Sequence, residues 1–379
     1  MTFKEILSAA QKSLATDIYI SPSKAIYIKA RGQIKPITSQ NSTLDNHQIY
    51  QLLKKILSDD DLLDYKNNKS FLTYYSVKEI SLYKLFVCEQ NGQHILHFQP
   101  MHSKIPDSKS LNTGFLDGYA SFRKGLIIFS GGAQSGKSHT LNAFLNMANI
   151  KTQRHISLLA QNNPWEHNEI NSLVSQQNYG DDFKHVFKNA LKLNPDMIFI
   201  DDLKFENFIY LINNYDFDRP TAITLEAGSA YQFLRKIKNN KLTNTFRNCL
   251  YMLFHQKLAY SNKAACNIPI FEYLENCREF DRIINDDEVF NGINYFSELN
   301  RKQRGDLIQP IENYLARLVR AELISSQQAL QHCENHPYLM KKITTSQSNP
   351  INTPDDKTEV GQLDQGWTNI ENISLIDEE

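Results

Sequence analysis

An eight-residue run, Gly131-Gly132-Ala133-Gln134-Ser135-Gly136-Lys137-Ser138, restricts what this chain can fold into more than any other stretch. It reads G-x-x-x-x-G-K-S. It sits between an apolar segment, Gly125–Ser130 (GLIIFS), and a helical pattern over Lys137–Ala148. Glycines let the backbone turn back on itself, so that successive amides point into one concavity and can grip phosphates. Lys137 would reach the β- and γ-phosphates, and Ser138 would offer its hydroxyl to Mg2+. The helix that begins at Lys137 would aim its positive end at the same anion. The expected ligands are therefore ATP and Mg2+, held by Gly131 through Ser138. His139 lines the edge of that pocket or packs, rather than acting as a base.

A phosphate loop of this kind needs a second strand ending in a carboxylate, to order the metal or polarise the attacking water. Asn194-Pro195-Asp196-Met197-Ile198-Phe199-Ile200-Asp201-Asp202 supplies four apolar residues followed by two aspartates. Adjacent side chains on a strand point to opposite faces, so only one aspartate can face the phosphates.

Around these motifs the chain divides by composition. Residues 1–100 carry a helical stripe (Ile6, Leu7, Ala10, Leu14), paired strands at Asp17–Ser21 and Ala25–Ile28, a helix near His47–Leu57, and strand patterns at Ile80–Cys88 and Ile95–Phe98. That is an α+β domain. Residues 101–111 are rich in Pro, Ser and Lys and read as a linker. Residues 112–343 alternate apolar runs with helical patterns, as an α/β domain does. Asp182–Leu193 places Phe183, Val186, Phe187, Ala190 and Leu191 on one helical face. Ile308, Ile311, Leu315, Leu318 and Val319 form a second stripe, and Ser325 caps a helix running to Cys333. Residues 344–379 read as an acidic disordered tail, because eight acidic residues stand against three lysines between Lys341 and Glu379.

Composition excludes several classes of function. With 41 Lys+Arg against 42 Asp+Glu, no global basic field draws nucleic acid. The five cysteines are scattered and never form C-x-x-C, which speaks against a zinc site or a disulfide framework. Neither a secretory leader nor a run of about 18 apolar residues is present, so a cytoplasmic protein without membrane insertion is expected.

Several segments together resemble the type IV pilus retraction ATPases, the PilT/PilU family within the wider secretion-motor ATPases. These are Arg123–Leu141 with the phosphate loop, Asp182–Leu191 with Asn194-Pro195-Asp196 and the aspartate pair, Thr16-Asp17-Ile18-Tyr19-Ile20 with Arg31-Gly32-Gln33-Ile34, and Leu307–Ser326 continuing to Pro337. The C-terminal part is most similar to the PilU branch. The resemblance implies an N-terminal PAS-like domain, a C-terminal RecA-like motor domain with a helical extension, and ATP bound with Mg2+. It also implies a homo-hexamer, or an assembly with a paralogous retraction ATPase, in the cytoplasm at the pilus base. There such a protein docks on the inner-membrane platform protein.

The departures from that family lie together. Its acidic segment after the phosphate-loop helix becomes Leu158-Leu159-Ala160-Gln161-Asn162-Asn163-Pro164-Trp165-Glu166, so the carboxylates are replaced by Ala160 and Gln161 or by Asn162 and Asn163. An amide can hydrogen-bond water but cannot take its proton. The family's second-strand Glu is matched by Asp202, the residue implied to hold Mg2+ with Ser138 and to act in catalysis. The family's T-L-H appears as Thr224-Leu225-Glu226. Its phosphate-reaching arginines fall near Gly92 and Gln99, with only Lys84 basic nearby. Loss of such an arginine lowers phosphoryl transfer by about 10³–10⁵-fold. Two readings follow: an accessory or regulatory ATP-binding subunit with weak or no hydrolysis, or an active hexameric ATPase powering pilus retraction. Lys204, Arg219 and Arg235 are candidate replacement cations. An unrelated P-loop kinase is a third reading, weakened because no acceptor-binding loop is evident.

Overall fold

The computed structural model describes residues 3–345, apart from 31, 39–42, 78–80, 102–104, 106–110, 112, 162, 262, 264–265 and 277–307. Two compact units result, residues 1–104 and residues 105 onward.

The first unit runs α1 (Phe3–Lys12), β1 (Ala15–Ile20), β2 (Tyr27–Ala30), β3 (Gln33–Pro36), α2 (Asn46–Ile56), α3 (Asp59–Asn68), β4 (Ser70–Val77), β5 (Ser81–Gln90) and β6 (Gln93–Met101). Its strands form an antiparallel sheet in the order β3-β2-β1-β6-β5-β4. Alternation sends Ile18, Ile20, Leu85, Val87, Leu96 and Phe98 to one face, where they meet Ile6 and Leu7 of α1 and Ile49 and Leu53 of α2. Reciprocal capping boxes start α2 (Asp45 with Gln48) and α3 (Ser58 with Asp61), each satisfying amide donors that a helix start leaves unpaired. The stripe expected to include Leu14 stops short of it. Helix α1 ends at Lys12, and Leu14 has φ 51° and is 55% exposed. The expected linker lies largely outside the described residues, as does the tail from 346.

The second unit opens with a 3-10 turn (Gly114–Tyr119), then β7 (Leu126–Gly131), α4 (Lys137–Lys151), β8 (His155–Ala160), β9 (Leu173–Asn178), α5 (Phe183–Lys192) and β10 (Met197–Leu203). There follow α6 (Phe205–Asn214), β11 (Thr221–Glu226), α7 (Ala230–Asn239), α8 (Thr243–Cys249), β12 (Leu250–Ser261) and β13 (Cys266–Glu275). It closes with β14 (Ile308–Gln309), α9 (Ile311–Arg320), α10 (Ser326–His332) and α11 (His336–Thr345). The sheet order is β14-β13-β12-β7-β11-β10-β8-β9, parallel from β12 to β9, with β13 and β14 added antiparallel at one edge. This is a RecA-like α/β sheet with cores on both faces. Phe183, Phe187, Phe208, Leu211, Phe233 and Phe246 cover one face, and Leu141, Phe144, Leu145, Leu315, Leu318 and Leu339 cover the other.

Ile308, read as the start of a helical stripe, pairs instead with Leu274 in β14. Pro310 is the N-cap, so the helix begins at Ile311. Ser325 does cap α10 through a capping box with Gln328. Among the described residues no helix is long and apolar enough to cross a membrane.

Candidate functional site

All six residues of β7 are buried between β11 and β12, so the strand delivers Gly131 to the carboxyl edge of the sheet with little freedom. A Cβ on Gly131 would overlap Ser135 Oγ and the Gln256 carbonyl, and Gly136 has φ 84°, so both positions require glycine. Gln134 also adopts the left-handed region, at φ 61°. The turn is closed by Ser135 N–H donating to the Gly132 carbonyl at 3.3 Å. Lys137 Nζ donates to the same carbonyl at 2.7 Å, which sets its ammonium over the loop. Ala133 stands exposed on the loop, and Ser138 and His139 are half-buried in the first turn of α4. His139 packs edge-on against Trp165 at 4.9 Å, and Trp165 is buried, as a packing residue should be.

The carboxylate buried beside this loop is Asp201, whereas Asp202, the residue the resemblance implies, is exposed. Asp201 is buried at the end of β10, and its carboxylate accepts from Thr224 Oγ1 at 2.6 Å and from Asp202 N–H at 3.0 Å. Burial raises its pKa; the hydrogen bond from Thr224 opposes that, Asp202 adds to it, and the hydrogen bonds from the Ser138 hydroxyl and the Asp202 amide oppose it. Asp202 is exposed, with φ 57°, where the register between β10 and β11 shifts between Ile200 and Leu203. That irregularity turns Asp202 outward and leaves Asp201 on the face of the sheet shared with Phe199 and α4. Tyr179 pins the bend by donating its hydroxyl to the carbonyls of Asp201 (2.8 Å) and Asp202 (2.9 Å).

Next to Asp201, across the β10–β8 ladder, stands Ala160, buried at the end of β8. Among the described residues no carboxylate occupies that strand end. The chain beyond it is tied to α4 by neutral groups. His167 Nε2 bonds Asn142 Oδ1 at 2.8 Å, Asn163 Nδ2 donates to the same oxygen at 3.4 Å, and Asn142 Nδ2 donates to the Ser138 carbonyl at 2.8 Å. Gln176 accepts from His167 N–H at 2.7 Å and donates to the Trp165 carbonyl at 2.9 Å. Burial lowers the pKa of His167 to about 4, which keeps the ring neutral. Glu166 is exposed, as is Glu226, the last residue of β11, which is registered against Gly131.

The proposed replacement cations are occupied or remote. Lys204 lies 3.7 Å from the Asp181 carboxylate. Arg219 donates to Asn194 at 2.8 Å, at the amino ends of β10 and β11 and so opposite the phosphate loop. Arg235 is exposed on α7.

Sequence reasoning missed the contribution of β12. Gln256, 1% exposed, donates from Nε2 to the Ser135 carbonyl at 2.7 Å and accepts from Thr140 Oγ1 at 2.8 Å. Its neighbour His255, fully buried, meets Ser130 Oγ through Nδ1 at 3.0 Å, and burial drives its pKa down to about 3. The available signal was a run of three polar residues, His255-Gln256-Lys257, inside an otherwise apolar strand.

Known proteins share this fold and the domain that carries the phosphate loop. The family model for type II/IV secretion system proteins matches residues 108–243. The chain is 23% identical over 242 residues to the type IV pilus ATPase PilU of Pseudomonas aeruginosa, covering 62% of this chain and 63% of PilU. It is 24% identical over 208 residues to the type IV pilus retraction ATPase PilT of the same organism, covering 54% and 60%. The matched regions thus span less than two thirds of either relative. The fold matches the crystal structure of the pilus retraction motor PilT with bound ADP at a TM-score of 0.70 and 18% identity, covering 90% of this chain and 99% of that one. It also matches the Legionella pneumophila ATPase DotB at a TM-score of 0.68 and 18% identity, covering 86% and 94%. By the matched domain, the pilus relatives and the shared two-part fold, the chain is similar to the PilT and PilU ATPases of type IV pili.

Proposed function

We propose that this chain is an ATP-binding subunit of a type IV pilus retraction motor, acting as an accessory or regulatory component with weak or no hydrolysis. The observation that carries this reading is a contrast within one site. The phosphate loop, Lys137 and the Ser138–Asp201 pair are intact, while the β8 end beside them presents Ala160 and a network of amides. Gly131 through Lys137 would hold the phosphates, with His139 at the rim. Mg2+ fits the donor set of the Ser138 hydroxyl backed by the Asp201 carboxylate; when bound it would neutralise phosphate charge. A group able to accept a proton from water is absent from the described residues at the end of β8.

In this reading residues 112–343 form the motor domain and residues 1–100 an N-terminal domain. The chain joins a homo-hexamer or a mixed assembly with a paralogous retraction ATPase. It works in the cytoplasm, peripheral to the inner membrane, against the pilus platform protein, and it neither binds nucleic acid nor inserts in the membrane. The fold shared with a PilT crystal structure holding ADP supports the ligand class.

The test is phosphate release from ATP by the purified full chain, alone and mixed with an active paralogue. The reading predicts turnover far below about 1 s⁻¹ alone, at the bottom of the ordinary enzyme range. Turnover near 1 s⁻¹ that disappears in Lys137→Ala would make the chain an active motor instead.

A further inference from the structure

The phosphate loop does not hold its shape alone. Gln134 stands at positive φ, which costs a non-glycine residue backbone energy, and within the loop the Gly132 carbonyl accepts from Ser135 N–H at 3.3 Å and from Lys137 Nζ at 2.7 Å. A further short contact to the loop backbone comes from outside it. Gln256 lies 121 residues from Ser135 in sequence, yet its Nε2 donates to the Ser135 carbonyl at 2.7 Å. The other end of the same amide accepts from Thr140 Oγ1 at 2.8 Å, one turn into α4. Both ends of the amide are used, so its orientation is set: reversed, its oxygen would face the Ser135 carbonyl, and two acceptors would oppose each other.

We propose that Gln256 is a positioning residue for nucleotide binding, which holds the Ser135–Gly136 peptide plane and the first turn of α4 in phosphate-gripping geometry from the adjacent strand. In a trans peptide the C=O and the next N–H point in opposite directions. With the Ser135 carbonyl drawn toward Gln256, the Gly136 N–H is directed away from β12, to the side on which the loop's amides converge on an anion. The anchor is itself rigid. Gln256 is 1% exposed on a strand paired with both β7 (opposite Gly131) and β13 (opposite Phe271). The fit is close, since a Cβ on Gly136 would stand 2.9 Å from Gln256 Nε2. A loop preorganised in this way binds phosphate without first ordering its own backbone, a saving that appears as affinity.

This inference rests on the nucleotide-binding reading, and the experiment separates the two. Binding of ADP carrying a ribose fluorophore is titrated with Mg2+ into the full chain, and thermal unfolding is recorded in parallel. Gln256→Met keeps the volume of the side chain and deletes both hydrogen bonds. Loss of two net bonds of ordinary strength predicts a Kd raised by roughly ten- to thirtyfold. Thr140→Val removes the hydroxyl that orients the amide, and about a threefold rise is expected. In the double variant the two losses should not multiply, because Thr140 acts through Gln256.

An unchanged Kd in folded Gln256→Met, or losses that multiply in the double variant, would overturn the proposal. Should Gln256→Met fail to fold, Thr140→Val decides: an unchanged Kd counts against the clamp, and a raised Kd at unchanged melting temperature supports it. If the wild type binds no nucleotide, or Lys137→Ala binds as well as wild type, the nucleotide reading falls and takes the clamp with it.

Discussion

The two aspartates at the end of β10 make opposite predictions, and substituting each in turn tests how the site is built. Asp201→Asn replaces a buried carboxylate that accepts from Thr224 at 2.6 Å and from the Ser138 hydroxyl. The amide oxygen can still accept one of these, but without charge, and the amide nitrogen presents donors where donors already point. A buried hydrogen bond to a charged group is worth about 1.5–3 kcal/mol. Losing the one that orients Ser138 should therefore weaken Mg2+-dependent nucleotide binding by about ten- to a hundredfold. Asp202→Asn removes a charge that is exposed and turned outward, worth about 1 kcal/mol at most. Its Kd should stay within about fivefold of wild type. The assay is fluorescent-nucleotide titration with Mg2+ and again with chelator, so that the metal-dependent part of the affinity is isolated. If Asp202→Asn abolishes the Mg2+ dependence while Asp201→Asn leaves it intact, the register break has been misread and the account of the site fails.

Three further outcomes follow from the same geometry. Gly136→Ala forces a side chain into φ 84° and to within 2.9 Å of Gln256 Nε2; the left-handed conformation alone costs about 1–2 kcal/mol, and nucleotide affinity should fall at least tenfold by titration. Asp17 is predicted to stabilise the first unit. Although burial raises its pKa, hydrogen bonds from His97 (2.8 Å), Gln99 and Thr16 and the charge of His97 outweigh that and hold it at about 2. Because the folded value lies below the unfolded one near 4, this stability is present above about pH 4 and lost as pH falls to about 2. Asp17→Asn should cost about 2 kcal/mol at neutral pH by urea denaturation, with the difference from wild type vanishing in acid. Asn142→Leu cuts the bonds from α4 to His167 and to the Ser138 carbonyl, and should destabilise the second unit by about 1–3 kcal/mol in the same measurement, because buried partners are left unpaired.

Much of this architecture could be read from local pattern, because the strongest determinants are local. A continuous apolar run ending in glycine made β7, and the cap residues Asp45, Asp182 and Ser325 each start the helix that follows them. Helix α3 had a start signal too, Ser58 followed by three aspartates, but its sparse apolar positions hid it. The choice between Asp201 and Asp202 was not legible, because alternation states only that the two differ. Which one faces α4 depends on a register shift against β11, a partner more than twenty residues away. Gln256 was hidden for the same reason on a larger scale: its role exists only once the sheet order puts β12 beside β7. That β8 ends in Ala160, followed by amides, was legible in the sequence. The His167–Asn142 network that stands there required the folded chain.

The central claim is that one site keeps its grip on the triphosphate and lacks the means to cleave it. A single-turnover experiment tests this most directly: protein in excess over radiolabelled ATP with Mg2+, sampled in time for bound nucleotide and for released phosphate. The account predicts rapid capture of the label, dependent on Lys137, with the nucleotide remaining intact as triphosphate over many minutes. Capture followed by cleavage within about a second, or no capture at all, would contradict it.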